Sequence, residues 1–170
     1  MNRIDLVLRL LMVALGLSIL FLVNQSILKK EDTIRNGAVI LLPLAPVDPR
    51  SLMQGDYMRL NYKLSIVRSV EESAGLVQDG ILAVSMEKQI AVSDRRIQSL
   101  SELRKGELPL RFRQRGRVLK FGAESFFFQE GTGEDYAKAR FGKLRVDSDG
   151  NPILVALCDA SGKEMGFALK

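Results

Sequence analysis

Gly55-Asp56-Tyr57-Met58-Arg59-Leu60-Asn61-Tyr62 is the stretch on which the reading of this chain turns. Gly takes positive φ without a Cβ penalty and Asp bonds its own backbone, so Gly55-Asp56 reads as a turn. From Met58 onward the apolar residues Met58, Leu60, Tyr62, Leu64 and Ile66 occupy every second position. Arg59, Asn61, Lys63 and Ser65 stand between them. A period of two sends alternate side chains to opposite faces, so residues 57–67 are expected to form a half-buried strand with one wet face.

Working outward, Ala38-Val39-Ile40-Leu41-Leu42 is a short apolar run fitting a buried strand, and Asp48-Pro49 opens the turn that Gly55-Asp56 closes. Downstream, Gly80 introduces a third strand over 81–86, which a turn at Glu87-Lys88 returns into 90–92. Ile97, Leu100 and Leu103 fall on one face of an expected helix over 95–104. Residues 108–112 and 118–121 read as a hairpin, and Ser125-Phe126-Phe127-Phe128 as a short aromatic strand. Thr132 and Asp135 resemble a capping box starting a helix over 134–140, with Glu134 and Lys138 paired at i,i+4. Residues 143–146 and 153–157 form a hairpin across Asp147-Ser148-Asp149-Gly150-Asn151, and a turn over 159–163 returns the chain. Seven or eight short strands and two short helices predict a mainly β, β-rich α+β domain with a Greek-key or rolled sheet.

Ahead of that domain, residues 10–23 hold no charged or strongly polar side chain, and the apolar character extends over 6–28. A helix of roughly 20 apolar residues crosses the hydrocarbon core. The chain is thus expected to meet the lipid bilayer through residues 6–28, with Arg9 snorkelling near one end. No small-x-small cleavage site follows Val23, which favours an uncleaved signal anchor over a cleaved signal peptide. Two units follow: residues 1–30 as anchor and transmembrane helix, and 31–170 as a single extracytoplasmic domain. A short N-terminus before one span stays inside, so the C-terminal part is expected to be exported, which in a Gram-negative bacterium means an inner-membrane protein with its domain in the periplasm.

Composition narrows the chemistry. The chain has no histidine, which removes the usual zinc sites and Ser-His or Cys-His catalysis. Its one cysteine, Cys158, ends the run Ile153-Leu154-Val155-Ala156-Leu157, where a buried thiol is the plain reading. Setting aside Arg3, Arg9, Lys29 and Lys30 among the bases and Asp5 among the acids leaves 21 basic and 19 acidic residues. That balance is not a nucleic-acid signature, and no nucleic acid, cofactor or metal is expected.

Gly55-Asp56-Tyr57-x-x-Leu60-x-Tyr62 matches every fixed position of the motif that names the GDYXXLXY family of bacterial membrane-anchored proteins, and the chain resembles that family. A second segment is similar to it as well: Gly122-Ala123-Glu124-Ser125-Phe126-Phe127-Phe128-Gln129-Glu130-Gly131, continuing through Tyr136, Ala139-Arg140-Phe141-Gly142 and Lys143-Leu144-Arg145-Val146-Asp147. The resemblance implies one span, a β-rich extracytoplasmic domain and association with multi-span membrane proteins. It implies no activity and no catalytic residue.

Several constellations invite chemistry. Asp56 and Tyr57 either lead a strand from a turn or face a groove holding a partner strand. Ser51 with a lysine would make a Ser-Lys dyad. Residues 49–56 invite comparison with type I signal peptidases, but Pro46 occupies the place of their nucleophile. Glu124, Glu130 and Glu134 bracket the Phe triplet as surface, capping or acid-base groups. Arg111, Arg113, Arg115 and Arg117 alternate, so a strand would line them on one face able to meet anionic headgroups.

The expected function is a membrane-anchored accessory protein, not an enzyme, docking on an integral-membrane or periplasmic partner, with a multi-span membrane protein as the partner. Gly55, Asp56, Tyr57, Leu60 and Tyr62, with Glu124, Phe127, Gln129, Glu130 and Gly131, would form or support the docking surface. The alternatives are a signal-peptidase-like or carboxylate-based hydrolase of envelope peptides or polymers, and a membrane-surface or small-ligand binding domain using the arginine row.

Overall fold

The computed structural model describes residues 3–45, 57–65, 79–116, 118–129 and 132–166. One long helix, α1 (Arg3–Asn36), precedes a β domain. Its stretch Val7–Asn36 is long and apolar enough to cross a membrane, and its apolar side chains stand exposed. Towards its C-terminal end α1 meets the domain, against the strands Phe141–Val146 and Pro152–Cys158. Gly37 joins α1 directly to β1 (Ala38–Pro43).

Among the described residues ten strands follow the helix: β1, β2 (Tyr57–Arg59), β3 (Asp79–Glu87), β4 (Ile90–Ile97), β5 (Glu107–Arg115), β6 (Val118–Lys120), β7 (Ser125–Phe127), β8 (Phe141–Val146), β9 (Pro152–Cys158) and β10 (Glu164–Met165). Eight of them form one sheet in the order β10-β9-β8-β1-β4-β3-β5-β6, and β2 and β7 form a separate pair. All neighbours are antiparallel except β1 and β4. The sheet is rolled, because the Arg111 amide on β5 donates to the Gly150 carbonyl in the β8–β9 turn (2.8 Å). Gly150 makes this closure possible twice over. Its φ is +88°, and a Cβ there would stand 3.1 Å from the Cβ of Pro109.

The core follows from the period of two. Ile40 and Leu42, Leu82 and Val84, Leu110 and Phe112, and Leu144 and Val146 all point from their strands to the inner face. Met58, Leu60, Tyr62 and Leu64 pack into this same cluster. Outside the roll, Ile81, Ala83 and Ile97 make a smaller cluster with Leu100 and Leu103 against it. Cys158 is a buried free thiol.

Three expectations are corrected in detail. Pairing ends at Arg59, and Lys63–Ser65 is a 3-10 turn, so the strand expected over 57–67 is shorter; residues 66–67 lie outside the described part. The alternation still holds, since Met58, Leu60, Tyr62 and Leu64 are buried while Arg59, Asn61 and Lys63 are exposed. The helix expected over 95–104 is instead the end of β4 and a 3-10 turn over Leu100–Glu102. Pairing to β3 continues as far as Ile97 opposite Ile81, and a three-residue period then brings Ile97, Leu100 and Leu103 to one patch without an α-helix. Lastly, the Thr132 hydroxyl donates back to the Gln129 carbonyl (2.6 Å), and the helix that follows, α2 (Gly133–Tyr136), has four residues. A capping box does occur at Ser99 with Glu102, whose carboxylate accepts from the Gln98 and Ser99 amides.

Candidate functional site: the paired signature strands

The two segments singled out in the sequence lie side by side. β2 and β7 pair antiparallel with Tyr57 opposite Phe127, Met58 opposite Phe126 and Arg59 opposite Ser125. Beyond the strands the Leu60 amide donates to the Glu124 carbonyl (2.8 Å). On its other side the Asn61 carbonyl accepts from the Ala45 amide (2.6 Å), and Tyr62 bridges Leu44. Residues 57–62 therefore stitch the end of β1 to the segment before β7.

Tyr62 is the innermost part of the motif, with none of its surface exposed. Its ring meets Phe121 edge-on at 5.9 Å, and its hydroxyl donates to the Ala123 carbonyl (2.5 Å). That bond meets the requirement that a buried phenol find a partner. Burial, reinforced by the charge of Glu124, pushes the Tyr62 phenol above its ordinary value. Gly142 leaves room for the ring, since a Cβ there would come 2.9 Å from a Tyr62 ring carbon. Leu60 is likewise buried. Within a docking site Leu60 and Tyr62 act as support, because neither reaches the surface.

Glu124 is a backbone clasp. One carboxylate oxygen accepts from the Phe121 amide and from the Gly122 amide (3.1 Å), closing a turn in which Gly122 takes φ +78°. Phe126 and Phe128 pack on Tyr136, at 5.1 and 5.6 Å between ring centroids. Phe127 points the opposite way, 74% exposed, with its ring 5.9 Å from that of half-buried Tyr57. Gln129 is exposed, and its carbonyl takes both the amide and the hydroxyl of Thr132. Gly55, Asp56, Glu130 and Gly131, as well as Ser51, lie outside the described residues, as does the side chain of Glu134.

The arginine row lies elsewhere on the domain. Arg111, Arg113 and Arg115 are exposed on one face of β5, and Arg117 lies outside the described residues. Arg113 is paired with Asp79 (2.9 Å), which holds that carboxyl below the ordinary range. Arg111 Nε donates to the Asp149 carbonyl (2.7 Å). Ala123, Tyr136 and Gly142 all fall in the second family segment, but the sequence does not reveal which side chains of the strand pair and its motif they touch. For Gly142 the local pattern adds a signal, since a glycine inside a strand marks close approach of another group.

What the described residues offer chemically is a surface more than a reaction centre: a two-stranded pair, buried on one side by Met58 and Phe126, presenting Tyr57 and Phe127 on the other. No curated protein and no solved structure matches the chain. The family model described as GDYXXLXY protein matches residues 19–157, most of the chain. The chain therefore belongs to the GDYXXLXY family.

Proposed function

We propose that this protein is a membrane-tethered accessory factor that docks an integral-membrane partner on the β2–β7 pair. In this reading α1 is an uncleaved anchor in the bacterial inner membrane and the domain faces the periplasm. The observation that carries the proposal is the exposed Phe127 ring against Tyr57 on a two-stranded pair separate from the main sheet. Exposed aromatic side chains are enriched at the centres of protein interfaces, and a short exposed strand pair offers unpaired backbone groups to an incoming strand. The seat of the domain on the end of α1 keeps this surface within reach of a multi-span neighbour.

The test is purification of the full chain from its native membrane in mild detergent, comparing wild type with Phe127→Ser. A multi-span protein is expected with wild type and absent with Phe127→Ser, while the two proteins melt at the same temperature. Recovery of the same partner with both would overturn the assignment of the docking surface.

A further inference from the structure

A second feature lies on the flank of the roll, reaching the segment before β7 at Glu124. A cleft of about 850 Å³ opens where β5 and β6 face the β8–β9 turn. Arg111, Arg113, Arg115 and Lys120 line it against Asp79 and Glu124. Both acids are engaged: Arg113 takes Asp79 through two nitrogens, and the Phe121 and Gly122 amides take Glu124. Arg115 and Lys120 are exposed and make no ion pair with a described residue. Arg113 and Lys120 also stand directly opposite in the β5–β6 register. Like charges in that position oppose strand pairing; Asp79 offsets the charge of Arg113, while Lys120 has no such partner among the described residues.

The position of the cleft says which anion. Lys29 immediately follows the apolar run of α1 and donates to the Asp149 carboxylate (2.7 Å). The carbonyl of Asp149 in turn holds Arg111, the first residue of the basic row. A chain of three residues thus ties the mouth of the cleft to the end of the apolar helix.

We infer that the cleft binds the phosphate of an anionic phospholipid headgroup, with Arg115 and Lys120 as its direct contacts. The inference rests on the anchor part of the function proposed above and is independent of docking at Phe127. Bound headgroup fixes the face that the domain turns to the bilayer.

Native mass spectrometry of the full chain in detergent, titrated with phosphatidylglycerol or phosphatidylcholine, tests it. Wild type is expected to retain phosphatidylglycerol in preference to phosphatidylcholine. Arg115→Gln with Lys120→Gln is expected to lose that preference, by about fivefold for each basic residue removed. The charge-keeping pair Arg115→Lys with Lys120→Arg retains it. A wild type without preference, or a double Gln variant that keeps it, overturns the inference. Free glycerol phosphate binding as tightly as the lipid overturns the membrane source. Hydrogen exchange over residues 7–28 in phosphatidylcholine nanodiscs reports the anchor separately. An unprotected helix there sinks the anchor, and a protected helix with no lipid preference sinks the cleft.

Discussion

At the residue scale, Tyr62 shows that the second tyrosine of the signature serves the core. Its ring and its hydroxyl have separate requirements, so they are separable by mutation. Tyr62→Phe keeps the packing on Phe121 but leaves the Ala123 carbonyl without its donor, and is expected to cost about 1–3 kcal/mol in urea unfolding. Tyr62→Ala also removes the ring and should cost about 3–5 kcal/mol. Gly142→Ala drives a methyl group into the ring, so its cost should shrink when combined with Tyr62→Ala. Additive costs in that cycle would mean that Gly142 serves something other than the tyrosine. Titration gives a further expectation. Burial raises the Tyr62 phenol above its ordinary value, so as pH climbs past about 10 the unfolded chain releases this proton before the folded one does. The unfolded state then binds fewer protons, and stability falls with rising pH until the folded phenol also ionises. Urea midpoints at about pH 8 and about pH 11 should therefore diverge less in Tyr62→Phe than in wild type.

At the scale of elements, the two faces of β2–β7 predict opposite outcomes for neighbouring side chains. Met58 is 2% exposed and packs in the main cluster, so Met58→Ala is expected to cost about 2–5 kcal/mol. Phe127→Ser, on the other face, should stay within about 0.5 kcal/mol of wild type while removing the surface on which docking depends. A large loss of stability from Phe127→Ser would show that its ring serves the fold. How these elements were legible follows from the range of the forces that make them. The alternation of Met58, Leu60, Tyr62 and Leu64 marks the buried residues correctly because burial is read residue by residue. It overstates the strand because pairing depends on a partner, and the partner, residues 125–127, lies far along the chain. The same cause hides the contact between the two signature segments, which no local pattern encodes. The spacing of Ile97, Leu100 and Leu103 does identify a shared patch, but strand pairing overrides the helix that the spacing alone predicts. Glu124 likewise looks like a candidate acid in sequence, and only the fold reveals that its carboxylate is occupied by two amides.

At the scale of the whole molecule, the question is whether α1 is a flexible leash or a rigid mount, because docking and headgroup contact both depend on the answer. Four contacts favour a mount. The Gly37 amide continues the helical pattern to the Thr33 carbonyl (2.9 Å), and Arg145 on β8 donates to the Gly37 carbonyl (2.8 Å). Thr33 is buried between helix and domain, and Lys29 reaches Asp149 across the β8–β9 turn. Gly37 itself admits no side chain, since a Cβ would collide with the Thr33 carbonyl and lie 3.0 Å from that of Val146. Spin labels at the exposed positions Ser26 and Lys163 should therefore report one narrow distance in wild type. Gly37→Val should broaden it strongly and Lys29→Ala in part, because the first displaces the joint and the second removes one tether. The Asp149 carboxyl sits below its ordinary range because Lys29 holds it, so that tether is present above the usual carboxylate range and lost as pH falls through the lowered value. Acidification should accordingly widen the wild-type distribution toward that of Lys29→Ala and leave Lys29→Ala itself nearly unchanged. A wild-type distribution already as broad as that of Gly37→Val would make α1 a leash, and the domain would then have to find both its partner and its lipid by diffusion.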